Sequence, residues 1–186
     1  IIDGGTGNDV IAGDNASIQG TDGYISPRFR ALSGTVIYDN NGNLLVTPSS
    51  QSDPNKVHAR TVVLYDSSHD PDGDTFGNDL IAGGADDDMI FGQLGEDTLH
   101  GDGQLTATAS GYSITTLIST DDPGSDIGGD DYIEGNGGDD TIYGGLGQDD
   151  LIGGNSTLFG LTTPEQRPDD SDTIYGGNGD ELARNN

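Results

Sequence analysis

Apolar side chains are sparse along this chain, and most of those that follow a pattern recur every nine residues, two places after an Asp. Ile81, Ile90 and Leu99 follow Asp79, Asp88 and Asp97; Ile133, Ile142 and Leu151 follow Asp131, Asp140 and Asp149. Residues 83–91 read GGADDDMIF, 92–100 GQLGEDTLH, 135–143 GNGGDDTIY and 144–152 GGLGQDDLI, so the first four places are glycine-rich, the sixth is Asp and the eighth Ile or Leu. The pattern returns at 4–12 (GGTGNDVIA) around Asp9, and again at Asp172 and Ile174. A fixed nine-residue period marks a repeat architecture. The last three places form a minimal strand in which period 2 turns only the eighth-place side chain inward. Two nonapeptides then complete one coil with a turn on each side, and turns on the same side lie eighteen residues apart. The expected fold is all-β, a right-handed parallel β-roll formed by residues 1–186 as a single segment.

Three excursions break the count, at about 14–73, 104–125 and 156–166. If each replaces one strand, turns starting at 4, 74, 92, 126, 144 and 167 share one side of the roll, and those at 13, 83, 101, 135, 153 and 176 the other. Every excursion then leaves after one kind of turn and returns at the other, so all three should emerge on one flank and be dispensable for the roll. In this register Asp97 and Asp131 face one ion. The excursions carry strand signals of their own. Thr35–Asp39 and Leu44–Thr47 flank Asn40-Asn41-Gly42-Asn43, a hairpin signal. Thr61–Tyr65 reads as a strand, and Tyr112, Ile114, Thr116 and Ile118 alternate as a half-buried strand does. Tyr24, Phe29, Tyr38 and Tyr65 suggest a satellite core rather than a partner surface. His100 falls at an outward-facing ninth place and is expected to be solvated.

Composition sharpens this picture. Glycine accounts for 32 of 186 residues, about twice the usual share. Asp and Glu number 33 against 6 Lys and Arg, a formal net charge of −27. That balance argues against nucleic acid and anionic membranes, and for bound cations. There is no Cys, hence no disulfide or thiolate metal site. No apolar run approaches membrane-spanning length, so no membrane insertion is expected. The chain begins inside the pattern without Met and reads as an excerpt of a longer protein. A disordered acidic linker shares this composition, but a linker has no reason to keep nine-residue phase. A single Ile or Leu per strand cannot offset the cost of ordering so glycine-rich a chain. Folding and cation binding are therefore expected to be one event.

The residue types suit one cation class. Glycines permit positive φ and close backbone approach, so a six-residue arc can turn its carbonyls inward. Asp adds a short, hard anionic oxygen of the kind Ca²⁺ takes in six- to eightfold coordination. The repeat resembles the Gly-Gly-x-Gly-x-Asp-x-apolar-x consensus of the RTX (repeats-in-toxin) calcium-binding family. The resemblance implies several Ca²⁺ ions held between turns. The earlier turn gives carbonyls from places two and four plus its Asp; the turn eighteen residues later gives carbonyls from places one and three plus its Asp. One implied site combines Thr75, Gly77 and Asp79 with Gly92, Leu94 and Asp97, and a second Ile127, Gly129 and Asp131 with Gly144, Leu146 and Asp149. Asp88, with Gly84 and Asp86, would meet Gly101 and Gly103. Asp140, with Asn136 and Gly138, would meet Gly153 and Asn155. Those two sites would be weaker for want of a second Asp. Asp9, with Gly5 and Gly7, and Asp172 would each find a partner across an excursion. Asp-rich returns such as Asp74 and Asp170 are either further ligands sealing the seams or ordinary turn chemistry.

No catalytic constellation is present. His58, His69 and His100 are scattered with no His-Glu-x-x-His motif, and Gly111-Tyr112-Ser113-Ile114-Thr115 lacks the second glycine of a nucleophile elbow. The resemblance implies a bacterial protein exported unfolded by a type I channel, secreted or at the cell surface, that folds on meeting extracellular calcium. Three roles stay open: a calcium-folded structural module, an adhesion module whose excursions bind a surface or polysaccharide ligand, and the non-catalytic part of a secreted enzyme.

Overall fold

The computed structural model describes residues 1–25, 37–38, 44–45, 57–65, 76–116, 128–147, 149–156, 159, 161–167, 170–179 and 182–184. Its strands in chain order are β1 (Ile2–Thr6), β2 (Val10–Ala12), β3 (Ala16–Ile25), β4 (Ile37–Tyr38), β5 (Leu44–Leu45), β6 (Val57–Leu64), β7 (Leu80–Ala85), β8 (Met89–Leu94), β9 (Thr98–Thr108), β10 (Gly111–Thr116), β11 (Tyr132–Gly137), β12 (Thr141–Gly147), β13 (Asp150–Ile152), β14 (Thr173–Gly179) and β15 (Leu182–Arg184). Ten of them form two parallel stacks. Sheet A has the order β1-β7-β9-β12-β14 and sheet B the order β15-β13-β11-β8-β2. Outside the excursions, successive strands alternate between the sheets, so the chain coils with two strands per coil.

The eighth-place residues meet between the sheets as expected. Ile11, Ile90, Ile133 and Leu151 from sheet B pack against Ile81, Leu99 and Ile142 from sheet A, with Ile2 and Ile174 at the margins. In register, Ile11 lies beside Ile90, Ile90 beside Ile133, and Ile81 beside Leu99. The core is thus one residue wide per strand.

Sheet B has a second apolar layer on its outer face, which the nine-residue pattern does not announce. Met89, Phe91, Tyr132 and Ile152 point outward there and are covered by Val62 and Leu64 of β6 and by Phe159 and Leu161. The Phe159 ring packs edge-on against Phe91, with centroids 4.6 Å apart, and against Tyr132 at 5.8 Å. A satellite core therefore exists, but its described aromatics are Phe91, Tyr132 and Phe159; Tyr65 is exposed, and Phe29 lies outside the described residues. The first and third excursions are consequently not dispensable, because removing them would bare this layer.

Other expectations for the excursions hold locally. β4 pairs antiparallel with β5, while the Asn40-Asn41-Gly42-Asn43 signal between them lies outside the described residues, and β6 covers 61–64 of the strand read at 61–65. Its partner β3, antiparallel over Ala16–Ile25, gave no sequence signal beyond two glycines and scattered β-formers. β10 folds back on the extension of β9, although Tyr112 on it is exposed rather than half-buried. His100 is not solvated. It is 6 % exposed and stacks on Tyr143 at 4.3 Å, which in turn stacks on Tyr175 at 4.7 Å. Parallel in-register strands place ninth-place rings directly above one another, and this stacking closes over the imidazole. Burial lowers its pKa to about 4, so the ring is neutral at physiological pH.

Candidate metal centre

Each sixth-place Asp ends a turn and precedes a strand, and coil-to-coil hydrogen bonds arrange these residues in two columns. In the first, Asp9 N–H donates to Asp88 Oδ1 (2.8 Å), Asp88 N–H to Asp131 Oδ1 (2.9 Å) and Asp131 N–H to Asp149 Oδ1 (3.0 Å). In the second, Asp79 N–H donates to Asp97 Oδ1 (2.7 Å), Asp97 N–H to Asp140 Oδ1 (2.8 Å) and Asp140 N–H to Asp172 Oδ1 (3.0 Å). One carboxylate oxygen of each acceptor is thereby fixed by the backbone, and the other oxygen of Asp88, Asp97, Asp131 and Asp140 accepts no hydrogen bond.

This order corrects the register expected from spacing alone. Asp97 and Asp131 lie in different columns and share no gap. Asp88 and Asp140 do not lack a second carboxylate, since Asp131 and Asp172 stack directly on them. The reason is where the excursions are inserted. Gly13 stands in a first-place position over Gly92 and faces Asp79 Oδ2, so 13–15 and 77–79 are the two halves of one turn. Likewise Gly101 faces Asp131 Oδ2 and Gly153 faces Asp172, which makes 101–103 with 129–131, and 153–155 with 170–172, single interrupted turns. The excursions are therefore 16–76, 104–128 and 156–169, each placed between the third and fourth places of a turn. Without them the chain reads as nine consecutive nonapeptides from Gly4 to Arg184. The first and third excursions leave from the Asp79 column and the second from the Asp9 column, so they do not share a flank.

Glycine is required at two kinds of place for different reasons. At places two and four the backbone takes positive φ: Gly5 (97°), Gly84 (124°) and Gly145 (114°) at place two, Gly7 (101°), Gly138 (133°) and Gly147 (110°) at place four. First-place glycines instead have no room. A Cβ on Gly83, Gly92, Gly101, Gly135 or Gly144 would collide with the Asp carboxylate of its own turn and with the first-place carbonyl of the next coil, from Gly101, Gly135, Gly144, Gly153 and Gly176 respectively. A Cβ at Gly129 would likewise strike the carbonyl of Asp86, and one at Gly138 that of Gly95. Asp86 (φ 76°), Gln93 (81°) and Asn136 (78°) adopt positive φ without being glycine. Asp86 is tied by Gly7 N–H donating to its Oδ2.

The Oδ2 atoms of Asp9, Asp88, Asp97, Asp131 and Asp140 are buried and accept no hydrogen bond. Burial pushes the pKa of Asp88 and Asp140 up to about 8 and that of Asp97 to about 7, with the neighbouring Asp carboxylates adding to the rise. Asp131, wholly buried, is likewise raised well above the ordinary carboxylate range by burial first, with Asp149 the largest charged contributor. Among the described residues no three Asp, Glu or His side chains gather into a metal-binding set. Each gap instead offers two carboxylates together with backbone carbonyls. An all-oxygen set with two negative charges fits a hard divalent cation of flexible coordination, and it accounts for carboxylates such as Asp88 and Asp140 being buried beside like charges rather than basic groups among the described residues.

The sequence profile of the RTX calcium-binding nonapeptide repeat matches in four copies, over residues 1–17, 74–104, 127–157 and 169–182. The chain belongs to the RTX calcium-binding repeat family. No curated protein and no solved structure matches it significantly. RTX repeats bind Ca²⁺, and this chain is a calcium-binding structural module taking several ions. The family is typically non-catalytic and occurs in secreted or surface bacterial proteins. No helix among the described residues is long and apolar enough to cross a membrane.

The individual site residues distribute as follows. Asp79 is stacked on Asp97 and Asp131 on Asp149, and the Gly77 and Gly129 carbonyls lie against Gly95 and Gly147. Thr75 and Ile127 lie outside the described residues, and the second places of those two turns belong to Asp14 and Asp102 instead. Asp102, 0 % exposed, accepts from Gly129 N–H (3.2 Å) and Leu146 N–H (2.5 Å). Asp14 accepts from Leu94 N–H (3.1 Å) while its own N–H donates to Gln93 Oε1 (3.2 Å). Gly103 is backed by Ile114. Asn155 exchanges hydrogen bonds with Asn136, receiving from its Nδ2 at 2.9 Å and donating to its carbonyl at 3.0 Å. Asp170, one of the return residues, is exposed at a fourth place, and Asp74 lies outside the described residues. Sequence reasoning missed the closing roles of Asp14, Asp102 and Gln93. It also missed the fully buried Glu134, which accepts from Tyr132 Oη (2.5 Å), Asn136 Nδ2 (3.0 Å) and Ser156 N–H (3.3 Å). The available signal was that Gly13-Asp14-Asn15 and Gly101-Asp102-Gly103 each resemble the first half of a turn.

Gly135→Ala tests the first-place packing. Its Cβ would strike both Asp140 Oδ2 and the Gly153 carbonyl. Overpacking of this kind costs about 1–3 kcal/mol, so the calcium midpoint is expected to rise roughly tenfold or more. Gly20→Ala, where a Cβ meets nothing within 4 Å, should leave it in place. Calcium titration followed by circular dichroism compares the two.

Proposed function

We propose that this RTX segment is the calcium-folded structural part of a secreted or cell-surface bacterial protein, exported unfolded through a type I channel and folded by extracellular calcium. The observation that supports it best is the pair of Asp columns, with buried Oδ2 atoms that accept no hydrogen bond and stand beside backbone carbonyls. Ca²⁺, when bound, would supply the positive charge that offsets the Asp columns, with the chain's own carboxylate and carbonyl oxygens as its ligands. The chain's own residues do the rest. Positive-φ glycines at places two and four curl each turn, first-place glycines let adjacent coils close, and the Asp N–H···Oδ1 ladder fixes the carboxylates. At −27 formal charge, a calcium-poor interior would keep the carboxylates apart, which suits passage as an unfolded chain.

An adhesive role is the second reading, and one observation narrows it. The first and third excursions cover sheet B, whereas the β9–β10 hairpin of the second carries exposed residues, Tyr112 among them. A surface or polysaccharide ligand would therefore be met by the second excursion. The export reading makes a quantitative demand, since extracellular calcium modules bind in the range of roughly 10⁻⁴–10⁻³ M. The folding midpoint of this segment is expected in that range. A midpoint below micromolar, where the chain would fold before export, would overturn the proposal.

A further inference from the structure

The three interrupted turns place potential ligands on both sides of each excursion. The second is the most fully described. Gly101 and Gly103 precede 104–128, while Gly129 and Asp131 follow it. Asp131 is 0 % exposed, its Oδ2 accepts no hydrogen bond, and that oxygen is aimed at Gly101 across the break. Gly101 is flanked by Gly83 on one side and by the Gly144 carbonyl on the other, the same stacking that the uninterrupted turns 83–88 and 144–149 make. Asp88 and Asp149 complete the neighbouring gaps through the Oδ1 ladder. Asp102 already holds the two ends in line through Gly129 and Leu146. Its two oxygens are engaged there, so it acts as a staple while Asp131 remains the ligand. The first excursion repeats the device, with Asp79 Oδ2 facing Gly13 and Asp14 bonded to Leu94.

We infer that the cation sites beside each interrupted turn are clasps, built from ligands on both sides of an excursion, so that calcium binding closes the excursion's root. Resting on the calcium reading above, this makes the excursions calcium-gated. The β9–β10 hairpin is held in one position only when the two gaps flanking Asp131 are filled, and its display becomes part of the same event that folds the roll. It also assigns Asp131 to two sites, whereas Asp9 at the end of its column serves one in this chain.

The sequence offers a direct test. Deleting 104–128 joins Gly101-Asp102-Gly103 to Gly129-Asp130-Asp131-Tyr132-Ile133-Glu134, a complete nonapeptide. Ca²⁺ ions bound to the full chain, the deletion variant, Asp131→Ala and Asp9→Ala are counted by native mass spectrometry and calorimetry. The deletion variant is expected to bind as many ions as the full chain, at a several-fold lower calcium midpoint, because a 25-residue loop no longer has to be closed. Asp131→Ala should lose two ions and Asp9→Ala one. Should Asp131→Ala fail to fold at any calcium concentration, the deletion variant alone decides the matter. If the deletion variant binds fewer ions while the full chain binds and folds normally, the clasp is wrong and the calcium reading stands. A full chain that binds no calcium sinks both.

Discussion

Chelating calcium near neutral pH is expected to convert this β-rich chain into a largely disordered one. The roll's inner core is one Ile or Leu from each of nine of its ten strands, counting Ile2 and Ile174 at its margins. That strip is thin against the entropy of ordering a chain that carries 32 glycines. The Asp columns oppose folding further. Asp88, Asp97, Asp131 and Asp140 are buried beside like charges, and among the described residues their Oδ2 atoms meet no hydrogen-bond donor. Among the described residues the positive charge near the columns is the N-terminal ammonium beside Asp79 and Arg60 near Asp9, so loss of the cation leaves Asp88, Asp97, Asp131 and Asp140 with like charges as neighbours. Far-UV circular dichroism and small-angle scattering should report loss of most β signal and an expanded chain in excess chelator, reversed by millimolar Ca²⁺. Mg²⁺ should restore little, since it demands a smaller octahedral shell and gives up water reluctantly. A compact, cooperatively melting β structure persisting in chelator would show that packing alone suffices and would defeat this account.

Acid should partly replace calcium. Burial raises the pKa of Asp97 and Asp102 to about 7 and of Asp88 and Asp140 to about 8, from an ordinary value of 3.8. Raised carboxylate pKa values mean that the rolled, calcium-free state binds more protons than the unfolded chain. Its relative stability is therefore greatest below the ordinary value and falls as pH rises through about 4 to 8. In chelator, lowering the pH from 8 towards 4 is expected to raise β content and compactness, by protonating carboxylates that calcium would otherwise neutralise. The converse follows by linkage. Calcium binding near pH 7 should release protons, and the calcium midpoint should rise as pH falls. Calorimetry in buffers of different ionisation enthalpy measures the released protons directly. If β content in chelator stays flat or falls on acidification, the columns are not the groups that hold the metal-free chain open.

The nine-residue phase alone determined which side chains enter the core, which Asp residues line the turns, and that the chemistry is all-oxygen cation binding. It could do so because a coil of identical strands and turns writes the same local requirement into every repeat: an inward apolar side chain at place eight, positive φ at places two and four, a carboxylate at place six. Ile90 and Asp97 needed no distant information to be read. What the tertiary structure decided was which turns stack. Gly13-Asp14-Asn15 and Gly77-Asn78-Asp79 look locally like the beginnings or ends of separate turns, and only the hydrogen bonds from Leu94 N–H to Asp14 and from Asp79 N–H to Asp97 show that they complete one another. The same completion of 101–103 by 129–131 moved Asp97 and Asp131 into different columns and gave Asp88 its second carboxylate, and that of 153–155 by 170–172 gave Asp140 its own. The buried outer layer of Phe91, Tyr132 and Phe159, the Glu134 network and the covering of His100 were hidden for the same reason. They depend on segments many residues apart meeting on one sheet face, and no nine-residue window contains both sides of such a contact.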